Sequence, residues 1–226
     1  MPVAQRAPAP DWDYKEEWPV ANKRYAMVID MRRCIGCHAC TVACKAEMAV
    51  PLEVNATWLK IIEKGVYPDA RKFFLPRLCN NCDDAICARN CPTQATYKRD
   101  DGIVMVDQHR CIGCKYCIAS CPYDVRYINP LKNIVQKCYF CSHRVDAGLQ
   151  PACVETCPTR AMVFGDKNDS KSEVAQVLSV NATNVIKKEM QTNPQVYYIG
   201  AEETVMSNVE KGNNYRTEGT IIKLRF

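Results

Sequence analysis

Short apolar runs bounded by turn-forming residues recur along the chain, a pattern that predicts β-strands. The predicted strands are 25–30, 57–62, 72–75, 95–97, 103–106, 161–165 and 195–199. A single stretch, 172–180, is a candidate helix, with Ser170 or Ser172 as its N-cap. No uncharged apolar run approaches about eighteen residues, so the pattern predicts no membrane-spanning helix.

Two hairpins are predicted from these strands. Asp100, Asp101 and Gly102 form a turn that pairs 95–97 with 103–106. Strands 57–62 and 72–75, with a loop at 65–70, predict a second hairpin, which we interpret as a cover and not as a second active site. The eleven residues between Cys141 and Cys153 contain Gly148 and Pro151, which disfavour a helix through this segment.

The two ends of the chain differ from its centre. Residues 1–22 contain four prolines and predict an extended arm, and its aromatic residues anchor it either on a partner or on the chain's own surface. This arm is acidic and lacks an apolar segment, so we predict no signal peptide. The pair Arg32 and Arg33 leads at once into a cysteine loop, so we interpret it as structural and not as a twin-arginine signal.

The chain contains sixteen cysteines among its 226 residues, and their spacing is repetitive. The segment 111–121 has the spacing C-x2-C-x2-C-x3-C followed by proline, which is typical of [4Fe–4S] ligation in bacterial ferredoxins. All sixteen fall into four quartets: Cys34, Cys37, Cys40, Cys44; Cys79, Cys82, Cys87, Cys91; Cys111, Cys114, Cys117, Cys121; Cys138, Cys141, Cys153, Cys157. We therefore predict that all sixteen are iron ligands of four [4Fe–4S] clusters.

Two other uses of cysteine are compatible with an even count. Eight disulfides are disfavoured, because disulfide frameworks have no reason to repeat a C-x2-C-led quartet that ends in Cys-Pro. Zinc is the stronger alternative, since C-x2-C pairs also form zinc knuckles. However, zinc needs four ligands per ion and does not explain a third cysteine two residues after the second.

The formal charge of +5 is not interpreted as a sign of a nucleic-acid-binding surface. Four clusters and sixteen thiolates would bring the holoprotein to about −3, so the basic residues are better interpreted as partners of cluster charge. No run of five or six like charges occurs. His38, His109 and His143 lie near ligands without a nucleophile or acid partner, and no phosphate-binding glycine motif is present. The sequence thus predicts an electron conductor with no catalytic residues and no substrate site of its own.

The quartets in this order, with CPYDVRY at 121–127, PACVETCP at 151–158 and FGD at 164–166, resemble a known family. They are similar to the iron–sulfur electron-transfer subunits of the dimethyl sulfoxide reductase family of molybdopterin oxidoreductases. Subunits of polysulfide, thiosulfate, tetrathionate and arsenate reductases belong to this group. The resemblance covers residues 23 to about 200.

The resemblance implies an α+β fold of two pseudo-symmetric ferredoxin-like modules, each with two clusters, short hairpins and short helices. The modules would occupy 23–165, with outer quartets 34–44 and 138–157, inner quartets 79–91 and 111–121, and the hairpin insertion 51–78. The arm 1–22 precedes them, and 166–226 contributes a helix, a strand and a tail that pack on the core or on partners.

In this family the fourth cysteine of each quartet crosses to a partner cluster. The implied ligand sets are Cys34, Cys37, Cys40, Cys157; Cys44, Cys138, Cys141, Cys153; Cys79, Cys82, Cys87, Cys121; and Cys91, Cys111, Cys114, Cys117. Lys45 stands where proline follows the other fourth cysteines. It either raises a neighbouring potential or contacts the catalytic subunit, or it is a solvated residue at the start of a helix.

The implied partners are a large molybdenum or tungsten pterin catalytic subunit and an integral-membrane anchor that binds quinone. The chain would be membrane-associated through them, on the cytoplasmic face or on the periplasmic face after co-export. The alternative is an electron-transfer subunit of a hydrogenase or formate dehydrogenase-type complex.

Overall fold

The computed structural model describes residues 22–65, 67–202 and 205–206, and the backbone of 221–224. The predicted arm at 1–22, apart from residue 22, and most of the predicted tail lie outside the described residues. The helices are α1 Ala39–Glu47, α2 Ile86–Arg89, α3 Tyr116–Ala119, α4 Ser142–Asp146, α5 Ala152–Glu155 and α6 Glu173–Val180. The strands are β1 Tyr25–Asp30, β2 Trp58–Lys64, β3 Arg71–Arg77, β4 Thr96–Lys98, β5 Val104–Val106, β6 Arg126–Ile128, β7 Val135–Lys137, β8 Met162–Asp166, β9 Thr183–Asn184, β10 Val196–Ile199 and β11 Ile221–Leu224. The fold is α+β, with short elements throughout.

The central sheet has the strand order β8-β1-β10-β9. Strand β1 pairs antiparallel with β8 and parallel with β10, so it joins segments that are far apart in sequence. Its four central residues are at most 1% exposed, because both faces are covered. Met27 and Ile29 face the main core, whereas Ala26 and Val28 pack with Val174 of α6. Burial on both faces explains why the run is continuously apolar and does not alternate.

Both predicted hairpins are confirmed. Strands β4 and β5 pair antiparallel, one residue later at the first strand than predicted, and β2 pairs antiparallel with β3 over seven residues. Strand β11 adds to β2 in parallel, so the described part of the tail lies along the inserted hairpin.

A third hairpin, β6–β7, was not predicted. Its turn is held by Asn129, whose Oδ1 accepts hydrogen bonds from the backbone N–H groups of Leu131 (2.9 Å) and Lys132 (3.1 Å). The strands contain Arg126 and Lys137, each 1% exposed, and a charged residue in a short strand conceals the apolar signal on which prediction depends.

Helices lie where the sequence predicted in two segments. Helix α6 is confirmed with Ser172 at its N-cap, although the Ser172 side chain makes no capping hydrogen bond. No helix runs through the segment between Cys141 and Cys153, as predicted, because α4 occupies only Ser142–Asp146 and α5 begins at Ala152. Gly148, at φ +77°, allows the chain to turn after the short helix α4.

Within the described residues, no helix has the length and apolar character needed to cross a membrane.

Candidate metal centres

The first and third cysteine quartets lie on loops of matching backbone geometry. Gly36 and Gly113 have φ of +72° and +67°, and His38 and Lys115, two residues later, are also left-handed just before α1 and α3 begin. A Cβ on Gly113 would lie 2.4 Å from the backbone oxygen of Asn133, and one on Gly36 would lie 2.5 Å from the Phe74 ring. Glycine is therefore required by both backbone angle and space.

One cavity brings together Cys34, Cys37 and Cys40 of the first quartet and Cys157 of the fourth. Cys37 is exposed, and the other three are partly buried. Burial raises the pKa of Cys40 to about 11, and neighbouring charges on Cys34 and Cys157 add to this shift. The remaining lining residues include Leu59, Pro76 and Met162 but no lysine or arginine.

A second cavity brings together Cys79, Cys82 and Cys87 of the second quartet and Cys121 of the third. Burial raises the pKa of Cys82 to about 12, with further contributions from charges on the other three thiols. Its lining also includes Asn80, Arg126 and Thr192, whereas the first cavity has neither an arginine nor an asparagine in its lining. Each cavity thus combines three cysteines of one quartet with the last cysteine of another.

Cys44, Cys138, Cys141 and Cys153 form the most buried group, each 5–6% exposed. Burial raises the pKa of Cys44 to about 11 and those of Cys138 and Cys153 well above their usual value. Charges on Cys44 and Cys141 add to the raised pKa values of both Cys138 and Cys153, and smaller contributions come from Cys79 on Cys138 and from Cys40 on Cys153.

The four remaining cysteines, Cys91, Cys111, Cys114 and Cys117, lie around helices α2 and α3. Cys117 is buried, and the charges on Cys87 and Cys91 contribute, after burial, to raising its pKa. Cys111 and Cys114 lie on the loop before α3, and Cys114 is exposed. The structure therefore brings Cys91 toward Cys117, while neither of the two cavities encloses any of these four.

Backbone N–H groups point at two of the fourth cysteines in the same way. The N–H of Thr96 donates to Cys91 Sγ at 3.4 Å, and that of Ala161 donates to Cys157 Sγ at 3.3 Å. Burial raises the pKa of both thiols, but these and neighbouring hydrogen bonds outweigh it, so both pKa values are lowered. The two sulfurs are thus prepared to carry negative charge, as iron ligands do.

The donor sets fit a [4Fe–4S] cubane better than a single ion. Each of the two cavities is lined by four cysteines, which is the donor set of a cubane held by four thiolates, with Asp84 also in the lining of one cavity and His38 in that of the other. Among the residues that the structure describes, no three His, Cys, Asp or Glu side chains are grouped as ligands of one metal ion.

Three basic side chains are buried near the cysteines: Arg77, Arg126 and Lys137, at 3%, 1% and 1% exposure. Lys137 Nζ donates to Asn81 Oδ1 (3.2 Å) and to the Cys138 carbonyl (2.7 Å), between the second and fourth quartets. Arg77 donates to the Tyr123 carbonyl and lies over the Trp58 ring at 5.5 Å. Buried cations require compensating negative charge, which four-thiolate clusters supply.

Ion pairs link helices that carry different quartets. His143 Nε2 lies 2.7 Å from Glu47 Oε1, and Arg144 contacts both Glu47 and Glu155, so α1, α4 and α5 are tied together. Arg99 makes two hydrogen bonds to Asp146 (2.8 and 2.9 Å) and contacts Asp101 at 2.7 Å, which joins the β4–β5 turn to α4.

Lys45 is engaged within the chain. Its Nζ donates to the carbonyls of Val54 (2.7 Å) and Pro51 (3.2 Å), which fastens the loop after α1. Its charge also acts to lower the pKa of Cys44, against the larger effect of burial. Lys45 lies in the last turn of α1 and not at the start of a helix.

Asn80, Thr192 and Lys137 were not identified from the sequence, and Arg126 was noted only as part of a motif. No local pattern marks them, because their importance comes from burial beside cysteines of other segments. The Thr192 hydroxyl contacts the Tyr123 hydroxyl and, by hydrogen bonding, acts to lower the pKa of Cys82 against burial. The segment beyond 166 therefore contributes to a site formed by the inner quartets.

The chain matches two family models of iron–sulfur proteins. Residues 70–167 match the 4Fe-4S dicluster domain, and residues 25–46 match the 4Fe-4S binding domain. The two matched segments together contain all sixteen cysteines.

Several curated proteins are similar over most of their length. The B subunit of tetrathionate reductase from Salmonella typhimurium is 45% identical over 188 residues, which cover 81% of this chain and 75% of that protein. The B subunit of polysulfide reductase from Wolinella succinogenes is 39% identical, covering 78% and 94%. The arsenate respiratory reductase iron-sulfur subunit of a Shewanella species is 34% identical, covering 78% and 96%.

Proposed function

The chain belongs to the family of iron–sulfur B subunits of molybdopterin reductases, and we propose that it relays electrons through four [4Fe–4S] clusters within such a complex. One observation carries the proposal: each of two cavities is lined by three cysteines of one quartet and the fourth cysteine of another. This pattern supports the crossed ligation by which a two-cluster ferredoxin holds its pair of cubanes.

The proposed ligand sets follow that rule at all four sites. The outer pair uses Cys34, Cys37, Cys40, Cys157 and Cys44, Cys138, Cys141, Cys153; the inner pair uses Cys79, Cys82, Cys87, Cys121 and Cys91, Cys111, Cys114, Cys117. The two cavities support the first and third sets, and mutual charge effects among the buried thiols support the second. The neighbourhood of Cys91 and Cys117 supports the fourth.

A pseudo-two-fold arrangement of two modules explains the repeated local geometry. The antiparallel pair β8–β1 would correspond to the hairpin β4–β5, since each connects a quartet with the quartet that shares its clusters. The matching N–H donors to Cys91 and Cys157, and the matching loops at Gly36 and Gly113, support this correspondence. In this arrangement the outer module is interrupted in sequence by the inner one.

A bound [4Fe–4S] cluster supplies one-electron transfer without making or breaking a substrate bond. The chain's own residues hold the clusters, exclude water and provide charge. Buried thiols, backbone N–H donors and the cations Arg77, Arg126 and Lys137 perform these tasks.

The partners follow from the proposed role. A relay needs a donor and an acceptor, and we assign these to a membrane anchor that binds quinone and a molybdenum or tungsten pterin catalytic subunit. The chain would be held at the membrane through these partners, on either face.

The test is anaerobic purification with metal analysis. We expect about sixteen iron and sixteen acid-labile sulfide per chain, from four cubanes each held by four cysteines. The variant Cys138→Ser serves as the matched control, because its iron content should fall at one site while the other three sites keep theirs. Stoichiometric zinc without sulfide would reject the proposal.

The same preparation tests the relay role. The chain should copurify with a large molybdopterin subunit when the complex is isolated, and alone it should have no turnover with a reduced dye. Substrate reduction by the isolated chain at the rate of the complex would contradict a relay.

A further inference from the structure

We propose that Arg126 is a positioning residue that raises the reduction potential of the cluster held by Cys79, Cys82, Cys87 and Cys121, and that Asn80 is a second donor to the same cluster. This inference rests on the proposed function, because it requires a cubane in that cavity. It assigns to two residues an effect on the potential of one named site.

Arg126 is placed on β6, and its guanidinium is buried against the cavity. The side chain is 1% exposed, and its terminal nitrogen donates to Cys87 Sγ at 3.0 Å. The other terminal nitrogen donates to Thr96 Oγ1 at 3.3 Å, which fixes the orientation of the planar group. A hydrogen bond from a charged donor to a thiolate is among the stronger ones that proteins form.

The Arg126 guanidinium lies beside the cysteine sulfurs of this cavity. Arg126 lines the cavity together with Cys79, Cys87 and Cys121, and it contacts Cys87 Sγ directly. An arginine side chain stays protonated in proteins. The guanidinium is therefore a permanent positive charge held at sulfur.

A permanent cation at this position raises the electron affinity of a cluster bound in the cavity. When the cluster accepts one electron from a neighbouring site or from a chemical reductant, it gains one negative charge and no bond is formed or broken. The attraction to Arg126 is then stronger in the reduced state than in the oxidised state, and low dielectric amplifies the difference. The potential is raised by that difference.

Asn80 is an independent indication of a ligand in the same cavity. The residue is 1% exposed and lines the cavity, yet neither its Nδ2 nor its Oδ1 has a hydrogen-bond partner among the described residues. A buried amide without partners is costly, and a sulfur acceptor in the cavity would satisfy its N–H group. The cavity of Cys34, Cys37, Cys40 and Cys157 has neither a buried guanidinium nor a buried amide in its lining.

The experiment is a redox titration of the anaerobically purified full chain, followed by paramagnetic resonance. Cys82→Ser identifies the signal that belongs to this cavity. Arg126→Met should then lower the reduced-to-oxidised ratio of that signal at fixed potential about tenfold, which is about 59 mV for a one-electron couple. Arg126→Lys keeps the positive charge but loses the planar guanidinium with its two terminal donors, so the shift in reduction potential should be smaller.

Asn80→Ala should shift the same signal in the same direction, and because this amide has no described protein partner its loss should leave the fold intact. Arg71→Met, at an exposed arginine of β3, is the matched control and should titrate like the wild type. If Arg126→Met loses the cluster, Arg126→Lys and Asn80→Ala decide the question.

Wild-type titration by Arg126→Met, wild-type titration by both Arg126→Lys and Asn80→Ala when Arg126→Met has lost the cluster, or an equal shift of all four signals in any Arg126 variant would overturn the inference. The proposed function fails in a different way: the wild type would contain no cubanes at all. Iron and sulfide analysis of the wild-type sample therefore separates the two failures.

Discussion

Replacing Gly113 with alanine tests the loop geometry on which one cluster site depends. Gly113 lies between Cys111 and Cys114 at φ +67°, and an added Cβ would meet the backbone oxygen of Asn133 at 2.4 Å. Two costs follow from this position. Left-handed backbone costs a residue with a Cβ about 1–2 kcal/mol, and an atom forced into occupied space typically adds about 1–3 kcal/mol.

Gly148 provides the matched control, because it shares only the first cost. Its φ is +77°, but a Cβ there would meet no atom within 4 Å. Both variants also gain the same small stabilisation from a stiffer unfolded chain. The difference between Gly113→Ala and Gly148→Ala is therefore the contact with Asn133 alone, about 1–3 kcal/mol.

Anaerobic thermal unfolding of the two variants measures this difference. For a chain of this size it corresponds to a gap in Tm of about 2–12 °C, with Gly113→Ala the lower. Iron analysis adds a second measurement, since loss should begin at the site of Cys111 and Cys114. Equal Tm values and equal iron retention in the two variants would refute the contact and the loop geometry derived from it.

Two further predictions concern how distant segments are joined. Cys157→Ser should disturb the paramagnetic signal of the first quartet's cluster, and Cys138→Ser a different one; identical effects would mean that each quartet ligates its own cluster. Arg99→Met should lower Tm by about 4–8 °C, from about 2 kcal/mol, because it leaves the buried Asp101 carboxylate and Asp146 without their shared cation. A loss no larger than that of the exposed variant Arg71→Met would show that this link does not stabilise the fold.

The sequence identified the parts of the molecule that have a local signature. Apolar runs located β1, β8 and β10 to within one residue at each end, and the turn at Asp100–Gly102 located a hairpin. Cysteine spacing alone identified all sixteen candidate ligands. In each case the property that folds the segment or binds the metal is carried by residues adjacent in sequence.

The features that escaped prediction depend on distant contacts. Arg126 and Lys137 are charged, and the strong preference of such residues for solvent hides the β6–β7 hairpin that contains them. Thr192 lines the cavity of Cys79, Cys82, Cys87 and Cys121 only because β10 pairs with β1 and brings the segment before β10 inward. The contacts of Lys45 could not be predicted either, because the Pro51 and Val54 carbonyls reach its Nζ only through the path of the loop after α1.

The pairing of β1 has a consequence for the order in which the protein is made. Strand β1 is made before both of its partners, since its antiparallel partner β8 begins only at Met162 and its parallel partner β10 at Val196. The hairpins β4–β5 and β6–β7 close within a few residues of their synthesis. Because contacts close in sequence form sooner, the middle of the nascent chain folds before its beginning. The first quartet emerges as four unprotected thiols and waits for more than half of the chain, so oxidation during translation should damage the outer sites before the inner ones.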